Sequence, residues 1–263
     1  MRLRVGKAPV FLVIFLLAGC ATTTRGPELQ QAGFSRDPLE SVNKPMFHFN
    51  MWLFNNVMEP ATRGYKAVTP HFFRTGVSNV FNNADMPYIF LNDFLQGRVQ
   101  KGMEGLSRFL VNTIFGLGGL FDVANRLDLP RQSNGFGVTL GVWGVPQGPY
   151  LVLPFYGPSS LRNLPGLALA IFASPAYYFP STNAQWAYSG MGIVNTGYTE
   201  GGKVHMVQEA VNPYVFMRNA WEQHERFLIQ GGNVSKSELL EGLELPGAAS
   251  SAPAVTAPPV SVR

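Results

Sequence analysis

Residues 37–58 read DPLESVNKPMFHFNMWLFNNVM, and they set what kind of molecule this is. Asp37 is a helix cap and Pro38 suits the first helical position. Glu40, three residues after Asp37, completes a capping-box pattern. Leu39, Val42, Met46, Phe49, Leu53 and Val57 then recur at steps of three and four, which is a helical stripe. Phe47, Met51 and Phe54 widen that stripe to more than half the circumference. No formal charge occurs between residues 46 and 58, where only His48, Asn50, Asn55 and Asn56 are polar. Such a helix cannot rest on a water-exposed surface with the usual one-sided burial. It is also too short to cross a bilayer upright. It must be buried nearly all round or lie partly in lipid, with Phe47, Phe49, Trp52 and Phe54 expected to face the membrane. Pro45 inside the pattern removes one hydrogen bond and predicts a kink.

The same helical periodicity continues outward. Residues 72–94 carry Val77, Val80, Phe81, Ala84 and Tyr88 in register, with Pro87 bending the run. Residues 99–115 carry Met103, Leu106, Leu110 and Ile114. Gly116, Gly118 and Gly119 break that helix, and residues 121–127 resume as a short one. Gly137, Gly141, Gly144 and Gly148 follow at steps of four, three and four. They make either a smooth helix face or a set of hinges. Residues 150–155 are a short apolar run, possible as an extended segment, and residues 167–173 suit a short apolar helix. A last helix starts at Asn212-Pro213 and ends at Gly231-Gly232. Arg218, Glu222 and Arg226 pair along it at i, i+4, so it is expected to face water. The fold class is therefore mainly α with little strand, in one domain over residues 37–245. Residues 246–263 are Ala, Ser, Pro and Val with one charge, and read as a disordered tail.

Composition agrees. Hydrophobic residues make up 46% of the 263 and charged residues only 14%, where a soluble domain carries roughly 25%. Much of the surface must therefore meet lipid or another protein. The net charge is +4, but Arg2, Arg4 and Lys7 lie in a leader, so no basic footprint for nucleic acid remains. That leader, MRLRVGKAPVFLVIFLLAGC, has a cationic start and an apolar stretch too short to span a bilayer. Residues 1–19 read as a signal peptide. Leu17-Ala18-Gly19-Cys20 resembles a bacterial lipobox, in which the cysteine thiol is lipidated and becomes the first residue. Cys20 is the only cysteine, so no internal disulfide can form. Several acyl chains on it would give stable anchoring. Residues 20–36 are then a lipidated tether, and Ala21, in place of an aspartate, favours outer-membrane delivery.

The chemistry-bearing residues are few. His48, His71, His205 and His224 show no metal-ligand spacing. No nucleophile elbow is present. The Gly116-Leu117-Gly118-Gly119 run lacks the context of a phosphate loop. Asp122 reads as a cap. No catalytic set, metal or cofactor is expected.

Several blocks then resemble a known family. DPLESVNKPMFHFN, AVTPHFFRTGVSNVFNN, NDFLQGR, RFLVNTIFGLGGLFDVA, FGVTLGVWGVPQGPYLVLPFYGPSSLR and NPYVFMRNAW are similar, in order and spacing, to the MlaA (VacJ) outer-membrane lipoproteins. Asp85-Met86-Pro87 stands where the family carries a more acidic pair, and residues 181–205 align poorly. The resemblance implies a helical ring in the inner leaflet of the outer membrane around an amphiphilic channel. It also implies association with a trimeric porin, and retrograde transfer of misplaced phospholipid to a soluble periplasmic carrier of the Mla pathway. In that frame Asn43, Asn50, Asn79 and Asn82 could solvate a head group, or else bond helix ends and turns. Gly141, Gly144 and Gly148 could gate the channel, or else serve tight packing. The competing reading is a structural lipoprotein bracing a porin or the cell wall.

Overall fold

A computed structural model describes residues 37–232. The leader, Cys20, the tether and the C-terminal tail lie outside the described residues. Asp37 stands two residues before the N-cap, Leu39, and its carboxylate accepts the Leu39 amide at 2.9 Å. Helix α1 (Glu40–Leu53) passes through Pro45 without ending. It runs on through a π-helical segment, Phe54–Met58, into α2 (Glu59–Val68). In that segment the Glu59 amide reaches back five residues to the Phe54 carbonyl. One extra residue per turn rotates α2 relative to α1. Pro60, which has no amide to donate, follows directly.

Helices α3 (His71–Leu95) and α4 (Val99–Ile114) pack together as an antiparallel pair. A turn in left-handed backbone follows, with φ of 53° at Leu117, 72° at Gly118 and 95° at Gly119. At Gly119 a Cβ would stand 2.5 Å from the Asn83 side chain, so only glycine fits there. The helix expected over residues 121–127 is a single 3₁₀ turn, Ala124–Leu127. Helix α5 (Phe136–Val142) leads to a hairpin of β1 (Tyr150–Leu153) and β2 (Gly157–Ser160), antiparallel with Tyr150 opposite Ser160. The second strand was not expected, since GPSS has no strand propensity; pairing with β1 creates it. Then come α6 (Leu164–Ala173), α7 (Thr182–Glu209) and α8 (Pro213–Ile229). The Asn212 side chain caps α8 by accepting the Val215 amide.

The 28 residues of α7 were not read as a helix, because five glycines and a poor amphipathic pattern interrupt the sequence. Those glycines mark close approach. At Gly197 a Cβ would stand 2.2 Å from Thr62 Oγ1, so α7 lies directly on α2.

The core is small. Phe47, Tyr150, Val152 and Tyr214 form its centre, with Met46, Met51, Val207 and Trp221 packed around them. Among the described residues eight hydrophobic side chains are buried, against sixteen polar or charged ones. That reverses the order of a water-soluble domain. The stripes are inverted too. On α4 the buried positions are Gly102, Gly105, Arg108 and Asn112, while Met103, Leu110 and Ile114 are exposed. On α3 they include Gly76, Asn79, Asn83, Met86 and Asp93, while Phe72, Leu91 and Leu95 are exposed. On α1 Asn43 and Phe47 are inside, and Val42, Phe49 and Trp52 outside. The expectation that Phe47 and Phe54 face the membrane is therefore corrected. Phe47 sits edge-on to Tyr214, and Phe54 packs against His205 and Gly201. Phe49 and Trp52 are exposed and stack on one another. Helix α8 is not a simple water-facing helix either. Glu222 and Glu225 are buried, and only part of its surface is open.

Candidate functional site

Two of the groups that the buried polar residues form contain buried ion pairs; a third, without an ion pair, links Asp93, Asn134, Gln96, Thr139 and Asn92. In the first, Arg108 on α4 is 3% exposed. It donates through Nη2 to both oxygens of Asp122, each at 2.6 Å. Asn112 donates to Asp122 at 3.1 Å and accepts the Ala124 amide at 2.8 Å. Arg131 closes the ring, donating to Asp122 at 3.1 Å and to Asn79 Oδ1 at 2.8 Å. Burial pushes the Asp122 carboxyl upward. The Arg108, Asn112 and Arg131 contacts outweigh it and hold the group below its ordinary value. Asp122 is thus the hub of an ion-pair cluster, beyond the capping role read from the sequence. In the second network Arg162, after β2, pairs with buried Glu225 on α8 at 3.1 Å. Glu222 lies one turn earlier; burial raises its carboxyl despite Arg218 and Arg226.

The four candidate asparagines separate cleanly. Asn43 is 1% exposed. It donates to the Tyr150 carbonyl and to Asp37, and accepts the Val152 amide at 2.9 Å. It ties β1 to α1 and cannot reach a lipid head. Asn50 does the same at the hairpin end, bonded to the Leu153 carbonyl and the Phe155 amide, both at 2.9 Å. Asn79 is buried and held by the Leu120 carbonyl and Arg131. For these three the structural alternative holds. Asn82 alone is exposed, at the edge of a small polar pocket shared with Asn79, Asn83, Arg108 and Asp122.

The candidate gate residues differ among themselves. Gly141 lies in α5 packed against Ile229 and Arg162, where a Cβ would come within 2.7 Å of Ile229. Gly148 has φ 69° beside Leu161. Gly144 has φ 88° and nothing within 4 Å of its Cβ position. Only around Gly144 is there open space.

The polar pocket at Asn82 is lined by Asn79, Asn83, Arg108, Asn112, Asp122 and Arg131, from α3, α4 and the chain that follows α4. The buried Tyr150 Oη, Ser159 Oγ, Ser160 Oγ and Glu222 Oε1 find no hydrogen-bond partner in the protein. In a dry core each would cost about 1–3 kcal/mol. They suit an interior with polar contents.

A family model described as MlaA lipoprotein matches residues 35–228. The chain belongs to the MlaA lipoprotein family. The Haemophilus influenzae relative named intermembrane phospholipid transport system lipoprotein MlaA is 32% identical over 230 residues, covering 84% of this chain and 89% of the relative. The Escherichia coli K12 relative of the same name is 33% identical over 229 residues, covering 85% and 88%. A solved structure from work on the structural basis for maintenance of bacterial outer membrane lipid asymmetry superposes with TM-score 0.61 at 32% identity. It covers 74% of this chain and 100% of that one.

In this MlaA-family chain no described helix is long and apolar enough to cross a membrane. No described group of three or more His, Cys, Asp or Glu residues could hold a metal ion. Sequence reading missed Arg108 and Arg162. A signal for Arg108 was present in the polar and small stripe Gly102, Gly105, Arg108, Asn112, which has the same helical spacing as the apolar stripe beside it.

Proposed function

We propose that this chain is a phospholipid conduit of the outer membrane. Lipidated at Cys20 and held on the periplasmic side, its body would lie in one leaflet as a ring. It would draw misplaced phospholipid out of the outer leaflet and pass it to a soluble periplasmic carrier, beside a trimeric porin. The single observation that carries this reading is the inverted burial. Apolar side chains such as Trp52, Phe115, Phe172 and Trp186 face outward, while Arg108, Asp122, Arg162 and Glu225 form the interior.

The physics fits. A lipid head cannot cross an apolar layer of about 30 Å unaided, because a buried unpaired charge costs several kcal/mol. Fixed dipoles and ion pairs inside an apolar shell supply the polar surface the head needs, while the tails meet the Phe and Leu side chains. Nothing in the transfer requires a bond to be made or broken, so the chain acts as a passage and no enzymatic step is invoked. The open space at Gly144, next to exposed Trp143 and Val145, suits a moving segment and supports a gate there. Gly141 and Gly148 are packed and would act as its fixed ends.

The test is extraction of fluorescent phospholipid. The full lipidated chain is placed in vesicles of outer-membrane phospholipids, and appearance of the probe on an aqueous acceptor is followed. Extraction should depend on the chain and fall to background with Cys20→Ala, which stays unanchored. Extraction no faster than from empty vesicles would contradict the conduit and favour a structural brace.

A further inference from the structure

The corner between α2 and α3 gathers positive charge around one ring. Tyr198 of α7 has Lys66 Nζ 5.6 Å and Arg74 Cζ 5.5 Å from its ring centroid, and Tyr65 stands edge-on to it at 6.5 Å. The cluster forms because α7 lies directly on α2 at Gly197, the residue before Tyr198. Arg74 Nη1 donates to the Lys66 and Thr69 carbonyls at 2.6 Å each, which holds the guanidinium against the end of α2. Its Nε and the Tyr65 hydroxyl, both donors, find no partner in the protein. Among the described residues neither Lys66 nor Arg74 has a carboxylate at ion-pair distance. Residues 60–84 contain no Asp or Glu. Glu59 lies two turns before Lys66 on α2, and Glu200 of α7 is taken by Lys203 at 2.6 Å. Beside these cations in the chain, Val68 is 81% and Phe72 77% exposed. Unmatched cations flanked by exposed apolar side chains fit the boundary of a bilayer, where tails end and phosphates begin.

The geometry points to a site for the phosphodiester of an anionic phospholipid at this corner, held by Lys66, Arg74 and Tyr65 around Tyr198. Lys66 supplies a point charge on a flexible stem. Arg74 offers, beyond the nitrogen that caps α2, the edge that meets two phosphate oxygens at once. The Tyr65 hydroxyl adds a neutral donor. The face of the Tyr198 ring lets two like charges stand near one another, and a phosphate offsets their remaining repulsion. An ammonium-bearing head brings a further positive charge, so net-anionic heads are favoured. Val68 and Phe72 lie against the glycerol and upper tails of the bound lipid, and the contact fixes the depth of the body in its leaflet. The site shares with the conduit reading only the placing of the body in a leaflet, and needs no passage through it.

The experiment titrates the full lipidated chain in dodecyl maltoside, which is uncharged and free of phosphate. The probes are dihexanoyl-phosphatidylglycerol, dihexanoylglycerol and inorganic phosphate, and calorimetry reads each Kd. Wild type should bind the phosphatidylglycerol more tightly than either of the others. Lys66→Gln should weaken that binding about fivefold, the scale of one cation at a lipid surface. Arg74→Lys keeps the charge but loses the planar fork, and should weaken it too. Arg126→Gln removes an exposed cation elsewhere and should leave the Kd unchanged. Thermal melts check that each variant is folded. Inorganic phosphate bound as tightly as the lipid would make this a site for the free ion and overturn the lipid assignment. Equal binding of dihexanoylglycerol, an unchanged Kd in folded Lys66→Gln and Arg74→Lys, or an equal loss in Arg126→Gln overturns the site. Each of these leaves the conduit standing, since extraction from vesicles tests that separately.

Discussion

Asn43 shows how one side chain fixes two elements. Its amide nitrogen donates to the Tyr150 carbonyl and its oxygen accepts the Val152 amide, both at 2.9 Å, inside the core. The same nitrogen reaches Asp37, which also accepts from Tyr214. Asn43→Ala would leave a backbone amide and a carbonyl buried without partners. The expected cost is about 2–4 kcal/mol, read by chemical denaturation in detergent; a cost under 0.5 kcal/mol would contradict the bracing role. Asp122 carries a second prediction at this scale. Its carboxyl is held below the ordinary value. Its stabilising share is therefore present above the unfolded carboxyl range, near pH 3.9, and is lost as pH falls through the depressed folded value. Asp122→Asn should lower stability at neutral pH by about 3–5 kcal/mol, because Arg108 stays buried without a counter-charge. The variant should also lose part of the acid dependence seen in wild type. Sequence alone showed neither role, since both depend on partners far along the chain or across a turn.

Elements were legible where helical period and punctuation agreed. The sequence placed α3 and α4 to within a residue at each end, and the Asn212 cap and Gly231 stop bound α8 as expected. It missed α7 and β2 because their residues have little preference of their own, and tertiary contact selects their conformation. The π-helical turn was equally hidden, as nothing in FNNVM announces an extra residue. Its consequence is testable through the helix it rotates. Thr62, on α2, faces Gly197 on α7, where a Cβ would stand 2.2 Å from Oγ1. Gly197→Ala should destabilise by about 1–3 kcal/mol. Adding Thr62→Ala removes the clashing hydroxyl and should recover at least half of that loss in a double-mutant cycle. Additive losses would mean that α2 and α7 do not meet at this pair.

At the scale of the whole molecule, the sequence announced too much apolar surface for water, and that inference stood. The side facing outward was less legible. An apolar stripe at helical spacing has the same period whether it meets a core or a bilayer, so Phe47 and Phe54 were placed outside while Met103, Leu110 and Ile114 were read like any packed face. The polar stripes opposite them carried the missing information. Arg108, Asn112 and Asn79 have no reason to share helix faces unless those faces meet one another. The account as a whole rests on head groups travelling inside and tails lying outside. Photo-crosslinking in vesicles tests it most directly, with the reactive group placed either on the lipid head or at a tail end. The head-placed group should label Asn82, at the polar pocket, and the tail-placed group Trp52 and Phe172. Head labelling confined to the outer residues, with the interior untouched, would contradict it.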